Sequence, residues 1–454
     1  MLIQGRKGAC AVSRREPVIG IVGLGYVGLA YALGFALHGF RVVGVDIDGE
    51  RVKSIENGLV NGFSGEALLK VVQNGSLKVS TSYEVLVDAD VVFIATNTPT
   101  KPDGLQDLSQ VVSALESLAR VWRKTHFNYK VIVLKSTVLP GTTRALAEYA
   151  RRELGIPIPD RVGFVHSPEF LRADRALEDV LRPSRVVVGG IDERSSIYIV
   201  DLFREFYRRV GYEPPIYTVS PEEAELVKYA SNVFLALKTV YGNLIGLLFR
   251  QIDNCDAWRV MSIVGLDPRI GRSHILPGMP YGGPCLVKDI LTFGRFMLEK
   301  TGLDFVKHIH DYNELVIEKI IEYLDTELNG LQGRKIAVLG VSYKPNSPEV
   351  KDSPAIKLCE KLLSKNAIVY IHDVNRKAVE KAKAILSRVK ALETMEKLKE
   401  VDAVIVTLDY DEYKLIPLDV YDNALVIDMT GVITYEKARR FYTSNTRITR
   451  SCLS

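Results

Sequence analysis

Short apolar runs alternate with helical patterns along the first half of the chain. Val18–Val22 has the pattern of a buried strand, Leu29–His38 that of a helix packed on a sheet, and Arg41–Asp46 that of the next strand. Similar strands follow at Val91–Ala95, Lys130–Leu134, Val162–Val165 and Arg185–Val188, with helical patterns at Leu108–Arg123 and Arg144–Leu154. This alternation predicts a doubly wound parallel sheet.

The pattern changes after about Pro215. Pro221–Ile252 keeps an apolar periodicity without a proline or glycine cluster, which predicts one long helix of more than ~40 Å. Helical patterns continue in part to Leu328, with a loop at Pro277–Pro284. Apolar strands then return at Lys335–Leu339, Ala367–Ile371, Ala403–Val406 and Leu425–Ile427. We therefore expect an α/β protein with two doubly wound parallel-sheet domains, joined by a central helical region that contains one long helix.

The composition narrows the class of protein. Hydrophobic residues make up 47% and charged residues 25%, which is typical of a globular chain, and 454 residues suggest roughly three domains. The 59 basic and 55 acidic side chains give a net charge of +4, which is too weak to predict nucleic-acid binding but suits an anionic small ligand. Five widely spaced cysteines predict neither a disulfide framework nor a metal site, so we expect free thiols in a reducing cytoplasm.

One stretch imitates a membrane span. Val18–Phe40 has no formally charged residue and is long enough to cross a bilayer. It also contains six glycines, four of them within nine residues, which fit an unbroken helix poorly. We therefore predict a strand, a turn and a helix at this place, and no membrane association. Residues 1–16 lack an apolar segment of signal-peptide length, and we expect them to form a flexible arm.

Gly23, Gly25 and Gly28 follow the first strand and open the next helix. In this order, the first glycine allows a sharp turn, the second lets the backbone approach a pyrophosphate, and the third lets the helix pack closely on the sheet. Asp46 comes 18 residues after Gly28 (46 − 28), where an acidic side chain accepts hydrogen bonds from ribose hydroxyls and repels a 2′-phosphate. The pattern predicts a Rossmann-like domain that binds NAD rather than NADP. Arg51 either touches the adenine ribose or is a solvated helix residue.

Pro277–Asp289 is the most unusual segment, with three glycines and three prolines. Cys285 follows them at a predicted helix start, where the helix dipole favours a thiolate. Lys288 and Asp289 come three and four residues later, on the same helical face. A thiolate, a cation and a carboxylate on one face suit covalent catalysis on a carbonyl group. A buried, inert cysteine is the alternative interpretation.

From about Val18 to Tyr435 the chain resembles the nucleotide-sugar 6-dehydrogenases, the UDP-glucose/GDP-mannose dehydrogenase family. The resemblance rests on eight segments in the family's order: Gly23–Gly28, Asn97–Thr100, Lys135–Thr142, Ser167–Arg172, Arg182–Arg185, Glu225–Asn232, Gly282–Asp289 and Tyr343–Asn346. Members of this family oxidise the C6 alcohol of a nucleotide sugar to a carboxylate with two NAD⁺.

The resemblance implies catalytic roles. Cys285 would add to the C6 aldehyde to give a thiohemiacetal, and then form a thioester that water hydrolyses. Lys228 and Asn232 are four residues apart, so they share a helical face, and they would stabilise the oxyanions. Asp289 and Thr137 would position or activate water.

The resemblance also implies binding roles. Glu169 would be a relay or positioning carboxylate at the reacting sugar carbon, and Lys344 would contact the phosphates of the nucleotide sugar or the partner domain. Cofactor contacts would come from Gly23, Gly25, Tyr26, Val27, Gly28, Asp46, Arg51, Thr98, Thr137, Glu169, Lys288 and Lys351. Substrate contacts would come from Glu169, Phe170, Leu171, Arg172, Lys228, Asn232, Gly282, Cys285, Tyr343 and Lys344. No metal is implied.

The chain departs from the family pattern at positions that bear on sugar and nucleotide choice. Ala173 stands where the family often has a second glutamate, and Asp174 is next to it. Lys351 replaces an expected arginine, which keeps the charge but loses the bidentate fork. Leu244 follows Asn243 where an acidic residue is common.

The patterns and the family resemblance together predict a division of the chain and an assembly. The long apolar helix would pack against a copy of itself in a homodimer, the commonest symmetric assembly. The predicted parts are a flexible arm at 1–16, an NAD-binding Rossmann domain at 17–215, a central helical and dimerisation region with the cysteine loop at 216–328, a Rossmann-like UDP-binding domain at 329–440, and a tail at 441–454.

The function that the resemblance favours is NAD-dependent oxidation of UDP-glucose to UDP-glucuronate. GDP-mannose and UDP-N-acetylhexosamines are the alternative substrates. A two-electron dehydrogenase that does not need Cys285, and a nucleotide-binding protein without turnover, are the alternative functions. The NADH formed per sugar consumed separates them, because it is near two for the first function, one for the second and none for the third.

Overall fold

The computed structural model describes residues 16–101, 104–123, 129–172, 175–417, 419, 424–432 and 439–440. They form two compact units, one from the described residues up to Pro99 together with Gln106–Lys228, and the other from the described residues of Thr100–Leu105 and those from Tyr229 onward. The predicted arm, except Glu16, lies outside the described residues, as do the predicted tail, Ala173 and Asp174.

In the described part of the first unit, eight strands form one sheet in the order β3-β2-β1-β4-β5-β6-β7-β8. This confirms the predicted doubly wound sheet. The strands are β1 Val18–Val22, β2 Arg41–Val45, β3 Leu77–Ser80, β4 Val91–Ile94, β5 Lys130–Leu134, β6 Val162–His166, β7 Val186–Gly190 and β8 Ile216–Val219. The helices are α1 Tyr26–Leu37, α2 Gly49–Glu56, α3 Gly65–Gln73, α4 Ser109–Trp122, α5 Thr142–Arg152, α6 Ala176–Leu181 and α7 Glu193–Val210, with a short 3₁₀ helix at Tyr83–Leu86.

One pair of strands departs from the all-parallel expectation. β6 and β7 are antiparallel, with Val165 opposite Gly190. β7 therefore begins at the same end of the sheet's strands at which β6 finishes, and the connection does not cross to the opposite end as it would between parallel strands. The other neighbouring strands of this sheet that the structure describes are parallel.

The apolar runs of the central strands are buried on both faces of the sheet. Val91 and Phe93 of β4 belong to the core that includes α1 and α7, whereas Val92 and Ile94 belong to the core that includes α4 and α5. Successive side chains of a strand point to opposite faces, so a strand covered on both sides needs a continuous apolar run. This is why the strands could be recognised from the pattern.

The second unit contains the predicted helices and a second parallel sheet. The helices are α8 Pro221–Phe249, which begins in the first unit, α9 Ala257–Val264, α10 Leu286–Thr301, α11 Phe305–Glu327, α12 Pro354–Ser364, α13 Arg376–Ile385 and α14 Asp411–Lys414, with a 3₁₀ helix at Met395–Glu400. The strands are β9 Lys335–Leu339, β10 Ile368–His372, β11 Lys390–Ala391, β12 Ala403–Val406, β13 Leu425–Asp428 and β14 Arg439–Arg440, in the sheet order β11-β10-β9-β12-β13-β14. The expected second sheet and the long helix are both confirmed.

The stretch that imitates a membrane span folds as β1, a turn and α1, as predicted. Among the described residues, one helix is long and apolar enough to cross a bilayer, namely α8. Only 28% of its most apolar window is buried within the chain. The core helix of a soluble protein passes the same test, so this finding is weak evidence for a membrane span.

Candidate active site

The glycine turn of the first unit has the shape of a phosphate cradle. Gly23 has a φ of +86°, and a Cβ added there would lie 2.9 Å from the carbonyl oxygen of Ala95. A Cβ at Gly28 would lie 1.8 Å from the carbonyl oxygen of Gly23, so this position admits only glycine. A Cβ at Gly25 would enter open space, and α1 begins at Tyr26 without a side-chain cap. The N–H groups of its first turn are therefore available to an anion.

Asp46 holds this turn and keeps capacity for a ligand. Its Oδ2 accepts a hydrogen bond from the Leu24 N–H at 2.7 Å, and its Oδ1 accepts one from Asp48 at 3.0 Å. Each carboxylate oxygen has a second lone pair, which a ribose hydroxyl can use. Arg51 donates from Nε to the Leu24 carbonyl at 2.8 Å, so it is tied to the turn rather than being a purely solvated residue. Burial lowers the pKa of Arg51, and Asp46 opposes this shift.

Two further predicted cofactor residues meet at the ends of β4 and β5. Thr98 is buried and donates from Oγ1 to the Thr137 carbonyl at 2.8 Å. Gln106 donates from Nε2 to the same carbonyl at 2.7 Å. The sequence analysis missed Gln106, because nothing in its local pattern distinguishes it from a polar loop residue. Together the two donors fix the backbone of Thr137 beside the cradle.

Glu169 and Lys228 form a largely buried ion pair within the first unit. Lys228 Nζ lies 2.7 Å from Glu169 Oε1, and the Leu171 N–H donates to Oε2 at 2.5 Å. The Lys228 side chain is 8% exposed and the Glu169 side chain 14%, so solvent screens the pair weakly. Burial alone raises the pKa of Glu169, but Lys228 and the hydrogen bonds bring it below its usual value. The carboxylate therefore stays ionised at neutral pH.

The three residues after Glu169 in sequence were also predicted to contact the substrate, and they line a cavity of the first unit. Phe170, Leu171 and Arg172 contribute to this cavity of about 280 Å³. The Arg185 guanidinium lies 3.8 Å from the centre of the Phe170 ring. Arg172 forms an ion pair with Asp179 at 2.6 Å, so part of its donor capacity is used within the unit.

Cys285 is exposed and directly precedes α10, as predicted. The Asp289 N–H donates to the Cys285 carbonyl at 2.9 Å. The Asp289 carboxylate is buried, accepts a hydrogen bond from Asn232 Nδ2 at 2.7 Å on Oδ2, and has Lys288 Nζ at 3.1 Å from Oδ1. The structure thus brings Asn232, Lys288 and Asp289 together at the start of the helix that Cys285 caps. A buried carboxylate that binds an amide and an ammonium, four residues after a thiol in sequence, suits proton transfer.

Two asparagines that the sequence analysis did not identify as loop contacts shape the loop before Cys285. Asn313 of α11 accepts from the Tyr281 N–H at 2.9 Å and donates to the Tyr281 carbonyl at 3.0 Å. Asn243 of α8 accepts from the Gly278 N–H at 2.8 Å. Both side chains are fully buried, which is uncommon for asparagine. The signal available in the sequence was a polar residue on the apolar face of a predicted helix.

Gly282 and Gly283 belong to this loop, and each has a close neighbour from residues 343–354. A Cβ at Gly282 would lie 2.5 Å from the Asp352 carbonyl oxygen, and one at Gly283 would lie 2.4 Å from Tyr343 Cδ2. The Gly283 N–H also donates to the Asp352 carbonyl at 3.0 Å. Tyr343, a predicted substrate residue, therefore packs directly against the loop that carries Cys285.

The second parallel sheet repeats the turn of the first. Asp373 follows β10 and accepts from the N–H groups of Val341 and Ser342 at 2.8 and 2.9 Å, as Asp46 does for Leu24. The Ser342 hydroxyl donates to the Lys344 carbonyl at 3.0 Å, while Lys351 is exposed. The described residues contain no group of three or more histidine, cysteine or acidic side chains that could hold a metal ion.

Three family models match the chain. They are the NAD-binding domain, the central domain and the UDP-binding domain of the UDP-glucose/GDP-mannose dehydrogenase family, at residues 18–210, 222–315 and 337–435. The chain belongs to this family. It is an NAD-dependent oxidoreductase of the nucleotide-sugar dehydrogenase type, and the resemblance noted in the sequence is confirmed.

Named relatives cover nearly the whole chain. The UDP-glucose 6-dehydrogenase YwqF of Bacillus subtilis is 32% identical over 92% of this chain and 94% of its own length. A solved UDP-glucose dehydrogenase from Pyrobaculum islandicum is 36% identical, with a TM-score of 0.87 over 96% of this chain and 100% of that chain. A GDP-mannose dehydrogenase from Pseudomonas aeruginosa is 26% identical, with a TM-score of 0.52 over 94% of this chain and 99% of that chain.

Proposed function

We propose that this protein oxidises the C6 alcohol of UDP-glucose to the carboxylate of UDP-glucuronate, using two NAD⁺ and one water. The observation that carries the proposal is the exposed Cys285 thiol before α10, with Asn232 and Lys288 held on the buried Asp289 carboxylate at the start of that helix. A simple two-electron dehydrogenase has no need of a thiol there. The names of the relatives at 32% and 36% identity support UDP-glucose as the sugar nucleotide.

The residues of the glycine turn fit NAD. The open space at Gly25, the uncapped start of α1 and the free lone pairs of Asp46 would take the pyrophosphate and the adenosine ribose. We assign NAD to the domain at 17–215, the cysteine loop to 216–328 and the uridine nucleotide to 329–440. NAD⁺, when bound, supplies the electron acceptor for each of the two oxidations.

Cys285 acts on the aldehyde that the first oxidation produces. The thiolate sulfur bonds to C6, and the carbonyl electron pair moves to oxygen, which takes a proton to give a thiohemiacetal. The second oxidation removes a hydride from C6 and the hydroxyl proton, which leaves a thioester. Water adds to this carbonyl, the C–S bond breaks, and the carboxylate leaves with the thiolate restored. Four electrons leave the sugar in total.

We assign the stabilisation of charge in these steps to five polar residues. In the proposed roles, the Lys228 ammonium and the Asn232 amide donate to the oxygen that becomes negative. Glu169 orients Lys228 through the 2.7 Å ion pair. Asp289 accepts a proton from the attacking water, and Thr137 positions that water.

The experiment is NADH stoichiometry with a panel of nucleotide sugars. The purified protein should form close to two NADH per UDP-glucose consumed, and Cys285→Ser should lose uronate formation. One NADH per sugar, or a fully active C285S variant, would contradict the thioester route. Faster turnover of GDP-mannose would favour the second candidate substrate, which the Pseudomonas structure supports at 26% identity.

We propose that the enzyme works as a homodimer in a reducing cytoplasm. Phe234, Tyr241 and Leu248 of α8 are each about half exposed within one chain, so a second copy would remove apolar surface from water. The described cysteines Cys255, Cys285 and Cys359 form no disulfide bond with one another, which suits a reducing compartment. A monomeric mass by light scattering would contradict the dimer.

A further inference from the structure

Lys135 is a buried lysine that the proposed reaction does not use. It directly follows β5 and is 2% exposed. Its Nζ donates to Ser167 Oγ at 3.3 Å and to the Pro168 carbonyl at 3.1 Å, and it lies 4.3 Å from the centre of the Tyr31 ring. The centre of the Phe203 ring is 5.7 Å away, so two oxygen acceptors and two aromatic rings surround the ammonium.

The two acceptors of Lys135 belong to the segment that carries Glu169. Ser167 and Pro168 immediately precede Glu169, whose carboxylate holds Lys228 and the Leu171 N–H. A methionine would fill the same volume without the desolvation cost of a buried cation, so packing alone does not explain a lysine. The two hydrogen bonds of Lys135, one to the Ser167 hydroxyl and one to the Pro168 carbonyl, instead hold the segment that presents the carboxylate.

We propose that Lys135 is a positioning residue, which holds the Ser167–Pro168 segment so that the Glu169 carboxylate meets Lys228. The proposal rests on the proposed function for the role of the ion pair in turnover, but the structural part stands on hydrogen bonds within the first unit. Lys135 itself acts through Glu169.

The charge of Lys135 depends on pH near neutrality, so its positioning role can be tested through the pH dependence of kcat. Burial lowers the pKa of Lys135 to about 7, Glu169 opposes the shift, and Lys228 adds to it. Near neutral pH the number of positive charges beside Glu169 therefore changes by one. The titratable groups that surround Lys135 or share its cavity are Tyr31, His166, Glu169, Arg172, Asp179, Arg182, Arg185, Tyr207 and Lys228.

The chain offers a matched control in Lys130, at the opposite end of the same strand. It is 3% exposed and donates to the backbone carbonyls of Val87 and Ala89. Lys130→Met removes a buried lysine from β5 without touching the segment before Glu169. It therefore reports the cost of losing a buried lysine as such.

The experiment compares Lys135→Met and Lys130→Met in two measurements. Hydrogen exchange of the peptide that covers residues 167–172 should speed up in K135M and stay unchanged in K130M. With UDP-glucose, kcat of K135M should fall by about 10- to 100-fold because Glu169 is displaced, while the KM for NAD⁺ changes by less than about twofold. The inflection of kcat near pH 7 should be lost in K135M and remain in K130M.

Equal exchange rates and equal kcat in the two variants would overturn the proposal. If K135M does not fold, Ser167→Ala decides, because it removes one acceptor and keeps the cation; wild-type exchange and kcat in S167A would also overturn it. Exchange is measured without substrate, so the proposal is tested even if no nucleotide sugar reduces NAD⁺. That result would refute the proposed function alone.

Discussion

The side-chain amide of Asn313 pairs with both the N–H and the carbonyl of Tyr281, at 2.9 and 3.0 Å, four residues before Cys285. The pairing joins the middle of α11 to the loop that precedes the thiol. Because the amide is fully buried, no water can replace either bond if it is lost. The position of Cys285 therefore depends on a residue of α11 that lies 24 residues after Asp289 (313 − 289), outside the segments that carry the family resemblance.

Asn313→Ala should destabilise the protein and loosen the thiol loop. Each of the two buried backbone groups left unpaired costs about 1–3 kcal/mol, so we expect a loss of about 2–6 kcal/mol in the free energy of unfolding measured with urea. Iodoacetamide labelling of Cys285 should change in rate. Asn57→Ala is the control, since Asn57 makes one exposed bond to Lys53 and should shift neither measurement appreciably.

Gly283→Ala should be more harmful than an alanine at another glycine with positive φ. Gly283 has a φ of +87°, and its Cβ would lie 2.4 Å from Tyr343 Cδ2. Gly75 has a φ of +76° with no atom within 4 Å of the added Cβ, so Gly75→Ala isolates the cost of backbone strain, about 1 kcal/mol. In thermal unfolding, the melting temperature of G283A should be well below that of G75A. Equal melting temperatures would show that the contact with Tyr343 yields easily.

Asp46→Asn should weaken NAD⁺ binding and relax the discrimination against NADP⁺. The substitution removes the charge that repels a 2′-phosphate and changes the partner of the Leu24 N–H. The KM for NAD⁺ should rise by roughly tenfold, with a smaller change for NADP⁺. Asp90→Asn tests the specificity of the effect, because Asp90 accepts from the Val18 N–H at the other end of β1 and should leave both values near wild type.

His166→Leu should remove an acid-sensitive contribution to stability. His166 is fully buried, neither ring nitrogen has a hydrogen-bond partner in the part of the chain that is described, and burial together with Lys135 lowers its pKa to about 3. The unfolded imidazole titrates near 6.5, so between these values the unfolded chain binds more protons. The folded state therefore loses stability as the pH falls through this window.

Urea unfolding at pH 7 and pH 4 measures this dependence. The His166→Leu variant should lose less stability than the wild type between the two pH values. His308→Gln is the control, because His308 is exposed and its loss should leave the wild-type pH dependence in place. A variant H166L that is as acid-sensitive as the wild type would assign the effect to other groups.

Features that depend on neighbouring residues could be predicted from the sequence. The turn of Gly23, Gly25 and Gly28 was predictable because φ, close packing and an open approach are requirements of single positions. The long helix α8 and the start of α10 after Cys285 followed from periodicity and from the proline-rich loop. The separate roles expected of Lys228 and Glu169 came from the motif resemblance, but their ion pair, which joins residues 59 apart in sequence, was not predicted.

Features that depend on residues distant in sequence were decided by the tertiary structure. An apolar run does not encode its direction, so the antiparallel β6–β7 pair could not be predicted from the pattern. The sequence around a single buried polar residue does not indicate its hydrogen-bond partner. Tertiary packing brought Asn313 to Tyr281 and Lys135 to the segment before Glu169. The sequence by itself determined the elements and the chemistry each carries, because backbone and hydrophobic preferences act locally. Only the folded chain decided which polar groups meet, because a buried hydrogen bond forms where packing removes water.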